Sequence, residues 1–554
     1  MESASIDPYD LPPPFWERHG ARLAPAAVFV LTAVLAVLSF PPYKTPEFAY
    51  VCLAPGIFWA YSRPPLKVYA GTLFAAQALA WTVILGWLHN VTWVGLILLG
   101  PFVGAWVGLW YLAAWWVIPR MLGRITPVRL AALLGLAGSW VVIEWTRTWF
   151  LGGFEWLPLA ASQWQRTSIL QIASYTGAWG ISFVLVAMNV GFSAYAHRLL
   201  REGQSGLRKR SQEFLLALFL LLVCLTVQVR EGFNRLLYTI PFARVAFVQP
   251  DIPTEVKWDA SKVPGILEVL RRETDSAAST HPDLILWPEA AAPQPVLGVP
   301  EMGQYVSSLS ARAGAPILLG GLAVESGGKP PDERWYNAAF VIDPQLGLQA
   351  RYYAKRKLVP FGEFIPLRPL LGWLSKVVPV GDVDFTPGTD PTPLLVRIHA
   401  GSAAFGTLIC YEDVQPSMAR TSVLAGADVL TVLTNNGWFG EGGAAYQHAA
   451  HSVLRAVETR RPVLRCGNAG WSGWIDEFGN IRSVLLNKND SIYFRGTGTV
   501  NVTRDIRWAG TNSFYVRHGD WFVAVSASLA LFAWFLLSAG SEKPKASPGA
   551  NVHP

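Results

Sequence analysis

Apolar residues crowd the first 230 positions of the chain into long blocks that polar residues only interrupt. Seven blocks can be drawn, near 23–40, 48–61, 68–88, 91–118, 130–149, 168–196 and 213–229, and an eighth lies near 520–540. Most approach the roughly 20 residues that a helix needs to cross a hydrocarbon core. The pattern therefore predicts an α-helical integral membrane domain of about eight spans. The second block is short and broken by Pro55 and Gly56, which suits a re-entrant or tilted element. The first is read as a retained span, because its leading tail mixes acids with bases and no small-residue cleavage site follows.

Beyond residue 231 the texture changes to short apolar runs separated by amphipathic stretches. Strands are predicted at 245–249, 284–287, 317–322, 337–342, 349–353, 394–398, 403–409, 429–433, 463–465 and 473–476. Helices are predicted at 266–276, 302–313, 418–424 and 446–459. Such alternation with short connections argues for a layered α/β domain. The chain thus divides into a membrane domain at 1–230 with seven spans, an extramembrane domain at 231–519, and a last span with its tail at 520–554. No G-x-G-x-x-G follows the first strand and no G-x-x-x-x-G-K occurs, so nucleotide binding has no support.

Composition agrees with a membrane protein: 52% hydrophobic, 15% charged and 25 tryptophans in 554 residues. A net charge of +7 would suggest nucleic acid in a soluble chain. Here much of it sits in short loops on one side of the spans: Arg18, Arg22, Arg63, Lys67, Arg120, Arg124, Arg129, Arg198, Arg201, Arg208, Lys209, Arg210, Lys543 and Lys545. The short loops opposite offer little beyond Lys44 and Arg166. The positive-inside rule then predicts cytoplasmic termini and an outward-facing 231–519 domain. Glu144 and Arg147, three apart in the fifth block, read either as an internal ion pair or as a lipid-headgroup contact.

Three strand ends carry chemistry. Glu289 follows the apolar run ending Leu-Trp-Pro. Lys355, Lys357 and Glu363 surround the end of the strand at 349–353. Cys410 ends the strand at 403–409 and is followed by Tyr411 and Glu412. In α/β domains functional groups collect where strands end. A carboxylate can take a thiol proton and return it to a leaving group, and an ammonium can stabilise an oxyanion. Cys466 also ends a strand and is the rival nucleophile; Cys52 and Cys224 fall inside apolar blocks. The four cysteines fit no disulfide framework, and the scattered histidines offer no metal-ligand set. The stretch 364–379, around Trp373, is too apolar for an ordinary surface loop. It reads either as an arm that dips into the outer leaflet and gates the site, with Trp438 and Phe439 on the same face, or as a segment packed on its own domain.

Strand-Trp-Pro-Glu, Tyr-x-Lys-x-x-Leu-Val-Pro-Phe-Gly-Glu and strand-Cys-Tyr-Glu, in that order, resemble the carbon-nitrogen hydrolase (nitrilase) superfamily. With the Leu-Val-Pro-Phe-Gly-Glu-Phe-Ile-Pro run and the membrane blocks, the chain resembles its apolipoprotein N-acyltransferase branch. The resemblance implies a nitrilase-like αββα sandwich and a catalytic triad: Glu289 as general base and acid, Lys355 at the oxyanion, Cys410 as nucleophile. By motif position it adds Glu363 and Glu412 as further essential acids, Tyr411 beside the nucleophile, and Trp258 and Asn337 as functional positions. It implies acyl transfer from a phospholipid, through a thioester, to the α-amino group of diacylglyceryl-cysteine lipoproteins in the bacterial inner membrane, with no cofactor. A membrane-anchored amidase that transfers to water is the alternative. The chain departs from the family pattern at 153–158, 435–439 and 466–471, which bears on substrate shape more than on the reaction.

Overall fold

The computed structural model describes residues 15–201, 211–326, 333–373, 384–399 and 401–539. The two terminal tails and the end of the apolar arm, 374–379, lie outside the described residues.

Among the described residues, five helices are long and apolar enough to cross a membrane: Trp93–Met121, Thr126–Thr146, Ala178–Leu200, Gln212–Tyr238 and Trp521–Ala539. The first block gives the helix Phe15–Leu38 and the third gives Leu66–Ile84. The second block departs from a span altogether. It folds as a 3₁₀ turn, Pro46–Tyr50, and a seven-residue helix, Ala54–Ala60, because Pro55 is accepted only in a helix's first turn. The described residues thus hold five helices with the length and composition of a span, beside the helices Phe15–Leu38 and Leu66–Ile84. The helix Trp521–Ala539 returns to the bundle and packs along Thr126–Thr146. A Cβ on Gly138 would lie 2.4 Å from the Ser526 carbonyl oxygen, so this approach requires glycine.

The helix Gln212–Tyr238 runs directly into the first strand. Among the described residues twelve strands follow: β1 Thr239–Gln249, β2 Leu284–Leu286, β3 Ile317–Ser326, β4 Glu333–Asp343, β5 Gly347–Ala354, β6 Leu394–Ile398, β7 Gly401–Ile409, β8 Val429–Thr434, β9 Val463–Gly467, β10 Gly473–Ile475, β11 Ile481–Val484 and β12 Gly496–Asp505. They form two mixed six-stranded sheets, ordered β12-β1-β2-β3-β4-β5 and β11-β10-β9-β8-β7-β6. The sheets face each other across Phe247, Leu286, Leu318, Phe405, Ile409, Leu433 and Leu464. The helices Val263–Ala278 and Pro300–Ala313 cover the outer face of the first sheet through Ile266, Leu270, Met302, Val306 and Leu309. This is the expected αββα sandwich. Strands β11 and β12 were not expected; β12 pairs antiparallel with β1, some 250 residues earlier in the chain, with Val245 opposite Val500.

The outer face of the second sheet carries the helix Gly443–Thr459, on whose other side lies the membrane half. One hydrophobic cluster runs unbroken from Trp110 and Leu133 through Trp156 to Val453, Leu430 and Val432. From Ala444 to Thr459 this helix is buried at every position but Tyr446, although its sequence is amphipathic. Gln447 is its fastening. Its side-chain oxygen accepts from the indoles of Trp87 (2.9 Å) and Trp156 (2.8 Å), and its amide donates to the carbonyls of Pro41 (3.0 Å) and Ile84 (2.9 Å). All four partners belong to the membrane half. Glu144 and Arg147 turn out to hold the loop after their helix: Glu144 accepts from the Leu159 N–H at 2.7 Å, and Arg147 donates to the carbonyls of Phe154 and Trp156. Both side chains are buried away from lipid headgroups, and their opposite charges act on each other beside these bonds.

Candidate active site

The strand ends of β2, β5, β7 and β8 converge. Glu289 stands three residues past β2, on a segment that lies against β3. A Cβ on Gly320 would fall 2.5 Å from the Pro288 carbonyl oxygen and 2.7 Å from Glu289 Cα, so glycine is what lets this backbone approach. Lys355 follows β5 directly, its N–H bonded to the Asn337 carbonyl at 2.8 Å. Cys410 follows β7 with φ of 50°, a left-handed conformation that costs a non-glycine residue about 1 kcal/mol or more. This strained residue heads a 3₁₀ turn, Cys410–Val414, and packs against the edge of the core between the sheets.

Lys355 Nζ, side chain 1% exposed, reaches Glu363 Oε1 at 2.8 Å and Glu289 Oε1 at 3.4 Å. The Asn337 amide donates to both acids, at 2.8 Å to Glu289 and 2.9 Å to Glu363. Glu363 is itself oriented by the Val359 N–H at 2.8 Å. The other Glu289 oxygen accepts from the Asn435 N–H at 3.0 Å. Asn435 in turn is held by Asn468, whose amide donates to its side-chain oxygen at 3.0 Å. Two of the stretches that depart from the family pattern therefore meet each other and aim Glu289.

The thiol of Cys410 stands beside Glu289 and Thr434. Burial, and then the Glu289 charge, push this thiol up to about 12, with Lys355 working against them. Burial would also raise Glu289, but Lys355, the Asn337 amide and Lys257 hold its carboxyl below the usual value. Lys355 is held well above its ordinary value: burial lowers it, and Glu363 and Glu289 more than offset that. The resting pair is thus thiol and carboxylate, the arrangement from which a base removes a proton as the sulfur attacks.

Glu412 is fully buried and serves as a brace. One of its oxygens accepts from the N–H groups of Arg356 (2.7 Å) and Lys357 (3.1 Å), the other from Ile409 N–H (2.7 Å) and the Tyr353 hydroxyl (2.7 Å). It ties the residues after Lys355 to the residue before Cys410. Tyr411 points away from the acids, stacks on Phe154 at 6.5 Å and donates to the Gly153 carbonyl at 3.4 Å. The residue after the nucleophile therefore touches the membrane half. Trp258 is half exposed, over the ammonium of Lys257 at 5.7 Å. Trp373 is 64% exposed and Leu367 and Leu370 are exposed too, whereas Ile365 at the start of the arm is buried. Trp438 is exposed, but Phe439 is not on that face: it packs on Trp87 at 4.5 Å, and its carbonyl accepts from Asn90 at 2.7 Å.

Other contributors were not singled out from the sequence. Lys257, buried, donates to the Glu289 carbonyl at 3.2 Å and is pulled down to about 8 by that burial. Asp413 bonds Arg465 at 2.6 Å, His448 at 2.8 Å and Ser452 at 2.5 Å, and His448 also reaches the Cys410 carbonyl at 3.2 Å. A charged residue three places past the candidate nucleophile was the available signal for Asp413. The rival Cys466 lies between the sheets, its sulfur 3.4 Å from the Leu286 carbonyl and 3.5 Å from that of Val248, and burial pushes its thiol up. It is a core residue. Among the described residues, no group of three or more His, Cys, Asp or Glu could hold a metal ion.

Residues 32–191 match the apolipoprotein N-acyltransferase N-terminal domain, and 244–516 match carbon-nitrogen hydrolase. The apolipoprotein N-acyltransferase of Geobacter metallireducens is 29% identical over 519 residues, 91% of this chain and 94% of that one. That of Azotobacter vinelandii is 31% identical, covering 73% of each chain. That of Chlorobaculum tepidum is 30% identical over 66% of this chain and 69% of its own. Among solved structures, an amidase from Nesterenkonia sp. aligns over 52% of this chain and 97% of its own, at 16% identity and a TM-score of 0.36. The chain belongs to the apolipoprotein N-acyltransferase family and is an acyltransferase that carries a carbon-nitrogen hydrolase domain beside a bundle of apolar helices.

Proposed function

We propose that Cys410 carries an acyl chain from a phospholipid to the α-amino group of a lipoprotein's N-terminal diacylglyceryl-cysteine. The observation that carries this reading is the meeting of Glu289, Lys355 and Cys410 at three strand ends, one residue away from the membrane half. Glu289, ionised at rest, accepts the Cys410 proton as the sulfur attacks the lipid ester carbonyl. Lys355 stabilises the oxyanion. The tetrahedral intermediate collapses, the C–O bond breaks, and the proton on Glu289 goes to the departing lysophospholipid alkoxide. The thioester remains. The free amine of the acceptor then attacks the same carbonyl, Glu289 takes its proton, and the thiolate leaves and is reprotonated. The products are an amide and the starting enzyme, and the two halves predict ping-pong kinetics.

Lipid access follows from position. Phe154 and Trp156, which pack beside Tyr411 and His448, belong to the loop following the helix Thr126–Thr146. The exposed Leu367, Leu370 and Trp373 give the arm an apolar face suited to an acyl chain or the outer leaflet. The arginine-rich loops support cytoplasmic termini and an outward catalytic domain in the inner membrane. In this reading 1–230 and 520–554 form the membrane part, 231–519 the catalytic part, and Glu363, Asn337, Glu412 and Tyr411 keep the triad in register, with Trp258 at the substrate entrance.

Intact-mass measurement after incubation with phospholipid alone tests the reading. A hydroxylamine-labile acyl adduct on Cys410, discharged by a diacylglyceryl-cysteine peptide, supports it. Release of free fatty acid as the main product with the peptide present would favour hydrolysis instead. No adduct on Cys410 would remove the thioester.

A further inference from the structure

A closed circuit of contacts holds Cys410 at both ends. Its carbonyl oxygen lies 3.2 Å from His448 Nε2, and its sulfur stands beside the Thr434 hydroxyl at the end of β8. Thr434 Oγ1 lies 3.1 Å from the side-chain amide of Asn436, and the same amide lies 3.1 Å from His448 Nδ1. The path from the Cys410 carbonyl through His448, Asn436 and Thr434 therefore returns to the Cys410 sulfur. It contains neither the acids nor the lysine of the catalytic cluster. Its anchor is rigid. His448 and Ser452, one turn apart on the helix Gly443–Thr459, both bond Asp413, which Arg465 pairs at 2.6 Å. The imidazole also packs on Trp156 at 5.4 Å.

Proton placement gives the circuit a direction. His448 Nε2 faces two oxygens that can only accept, the Cys410 carbonyl and the Asp413 carboxylate at 2.8 Å, so Nε2 carries its proton. Burial, and then the Arg465 charge, lower the imidazole below its ordinary value, so the ring rests neutral and Nδ1 is an acceptor. With its oxygen toward Nδ1, Asn436 sets acceptor against acceptor and leaves its NH2 buried without a partner among the described residues. With its NH2 turned there instead, it donates to both Nδ1 and Thr434 Oγ1, and only a carbonyl oxygen, the better-tolerated orphan, is left unmet. The Thr434 hydroxyl, accepting from Asn436, then has its own proton free for the sulfur, where it works against the burial that raises this thiol.

We infer that His448 is a positioning residue for the nucleophile: it holds the strained Cys410 backbone by the carbonyl and, through Asn436, aims the Thr434 hydroxyl at the sulfur. The hydroxyl donates a hydrogen bond to the charge that develops on sulfur while Glu289 takes the thiol proton, and it keeps its own proton throughout. The same donor meets the thiolate when it leaves the thioester. The inference rests on Cys410 as the acyl carrier and deepens that reading.

Full-length enzyme in detergent provides the test, with Thr434→Val, Thr434→Ser, His448→Gln and the double variant Thr434→Val, His448→Gln. Two rates are read: acylation by a fluorescent phospholipid, and alkylation of Cys410 by iodoacetamide followed by peptide mass, which needs no lipid. Thr434→Val is expected to lower kcat and the alkylation rate about tenfold, the scale of one hydrogen bond to a charged group, with KM for the lipid unchanged. Thr434→Ser, which keeps the hydroxyl, recovers most of the loss. His448→Gln cannot reproduce both ring contacts and also costs about tenfold. Because both changes cut one path, the double variant is expected to be no slower than the slower single, whereas independent effects multiply to about a hundredfold. Multiplying effects, or wild-type rates in Thr434→Val, overturn the inference. So does a His448→Gln protein that melts lower yet alkylates and turns over as the wild type does where it is folded, since the histidine then serves stability alone. Should His448→Gln not fold, Asn436→Leu, which cuts the same path, takes its place in the cycle. A wild type that forms no acyl adduct while the alkylation pattern holds removes the lipid reading and leaves the positioning of Cys410 standing.

Discussion

Lys355 Nζ stands 2.8 Å from Glu363 Oε1, closer than the 3.4 Å that separates it from Glu289 Oε1. The ammonium is therefore set chiefly by an acid outside the triad, and Glu289 is left free to take a proton. Glu363 can do this because its second oxygen is fixed by the Val359 N–H and its first also accepts from Asn337. In Glu363→Gln the new amide must either face the Val359 N–H or face Lys355 and Asn337, donor against donor in both cases. Lys355 is then drawn onto Glu289. The expected outcome is a kcat lower by about 10²–10³-fold, the scale of one lost oxyanion donor, with KM for the lipid little changed. Steady-state kinetics on a fluorescent phospholipid would check this, and a KM effect without a kcat effect would assign Glu363 to lipid binding.

The resting charge state predicts the pH profile. Glu289 is held below the ordinary carboxylate value of about 4.3, so the base stays ionised through neutrality and is lost only as pH falls into the acid range. The Cys410 thiol is pushed up to about 12, so no rise is expected where an ordinary thiol titrates, near 8.5. Acylation of Cys410 should be nearly flat between about pH 6 and 9. Lys257 titrates inside that window, at about 8, and Lys257→Met removes any small step it causes. In Glu289→Gln the charge that raises the thiol disappears. Its titration moves down from about 12 while the maximal rate falls about 10²–10⁴-fold, the usual contribution of a general base. A wild-type profile with an inflection near 8.5 would mean that a free thiolate, not the Glu289 pair, does the chemistry.

Much of this centre was legible in the sequence because each component ends a run of buried apolar residues. A strand that stops at Glu289, Lys355 or Cys410 announces itself by the polar residue that ends it. The missing parts share a different cause. Lys257 adjoins the noticed Trp258, yet its value depends on Glu289, reached only through the fold. Arg465 sits inside a strand and reads as an anomaly until Asp413 is seen 52 residues away. Strand β12, rich in Gly, Thr and Asn, has too weak an alternation to be found without its partner β1. The helix at Gly443–Thr459 looks amphipathic because its polar face, including Gln447 and His451, is buried against indoles and backbone rather than exposed. Apolar periodicity sees core, but it cannot see polar groups satisfied across 300 residues.

Register explains why two cysteines at strand ends differ. Leu433 of β8 pairs with both Ile409 of β7 and Cys466 of β9, so Cys466 lines up with the residue before Cys410 and shares the inward face. Cys466→Ala should retain acylation at close to the wild-type rate and cost about 1 kcal/mol in stability from a small cavity. Cys410→Ala should form no adduct while melting close to the wild type, since alanine keeps the Cβ and its left-handed strain and only the thiol is lost. Peptide mapping of the acyl adduct would decide; its appearance on Cys466 in Cys410→Ala would reopen the assignment.

The last relationship concerns how the catalytic part is held at the membrane. Gln447 satisfies the Trp87 and Trp156 indoles and two backbone carbonyls of the membrane half, and it is 2% exposed. Gln447→Leu is nearly the same size but leaves two donors and two acceptors buried without partners, each worth about 1–3 kcal/mol when unmet. Relaxation and water entry will recover part of this, so a loss of about 3 kcal/mol or more is expected, among the larger single-residue effects. Trp156 also packs on His448, which reaches the Cys410 carbonyl, so the substitution should lower kcat at temperatures where the protein is still folded. Gln447→Glu offers a sharper control: it keeps both acceptor functions but loses the donor to Pro41 and Ile84 and buries a charge. It should be destabilised at neutral pH and partly restored toward acid pH, where the protonated carboxyl can again donate to one carbonyl. Thermal melts across pH, run beside acyl-transfer rates, would check both. If Gln447→Leu melts with the wild type, the two halves are fastened elsewhere, and apolar packing around Trp156 and Val453 alone is sufficient to join them.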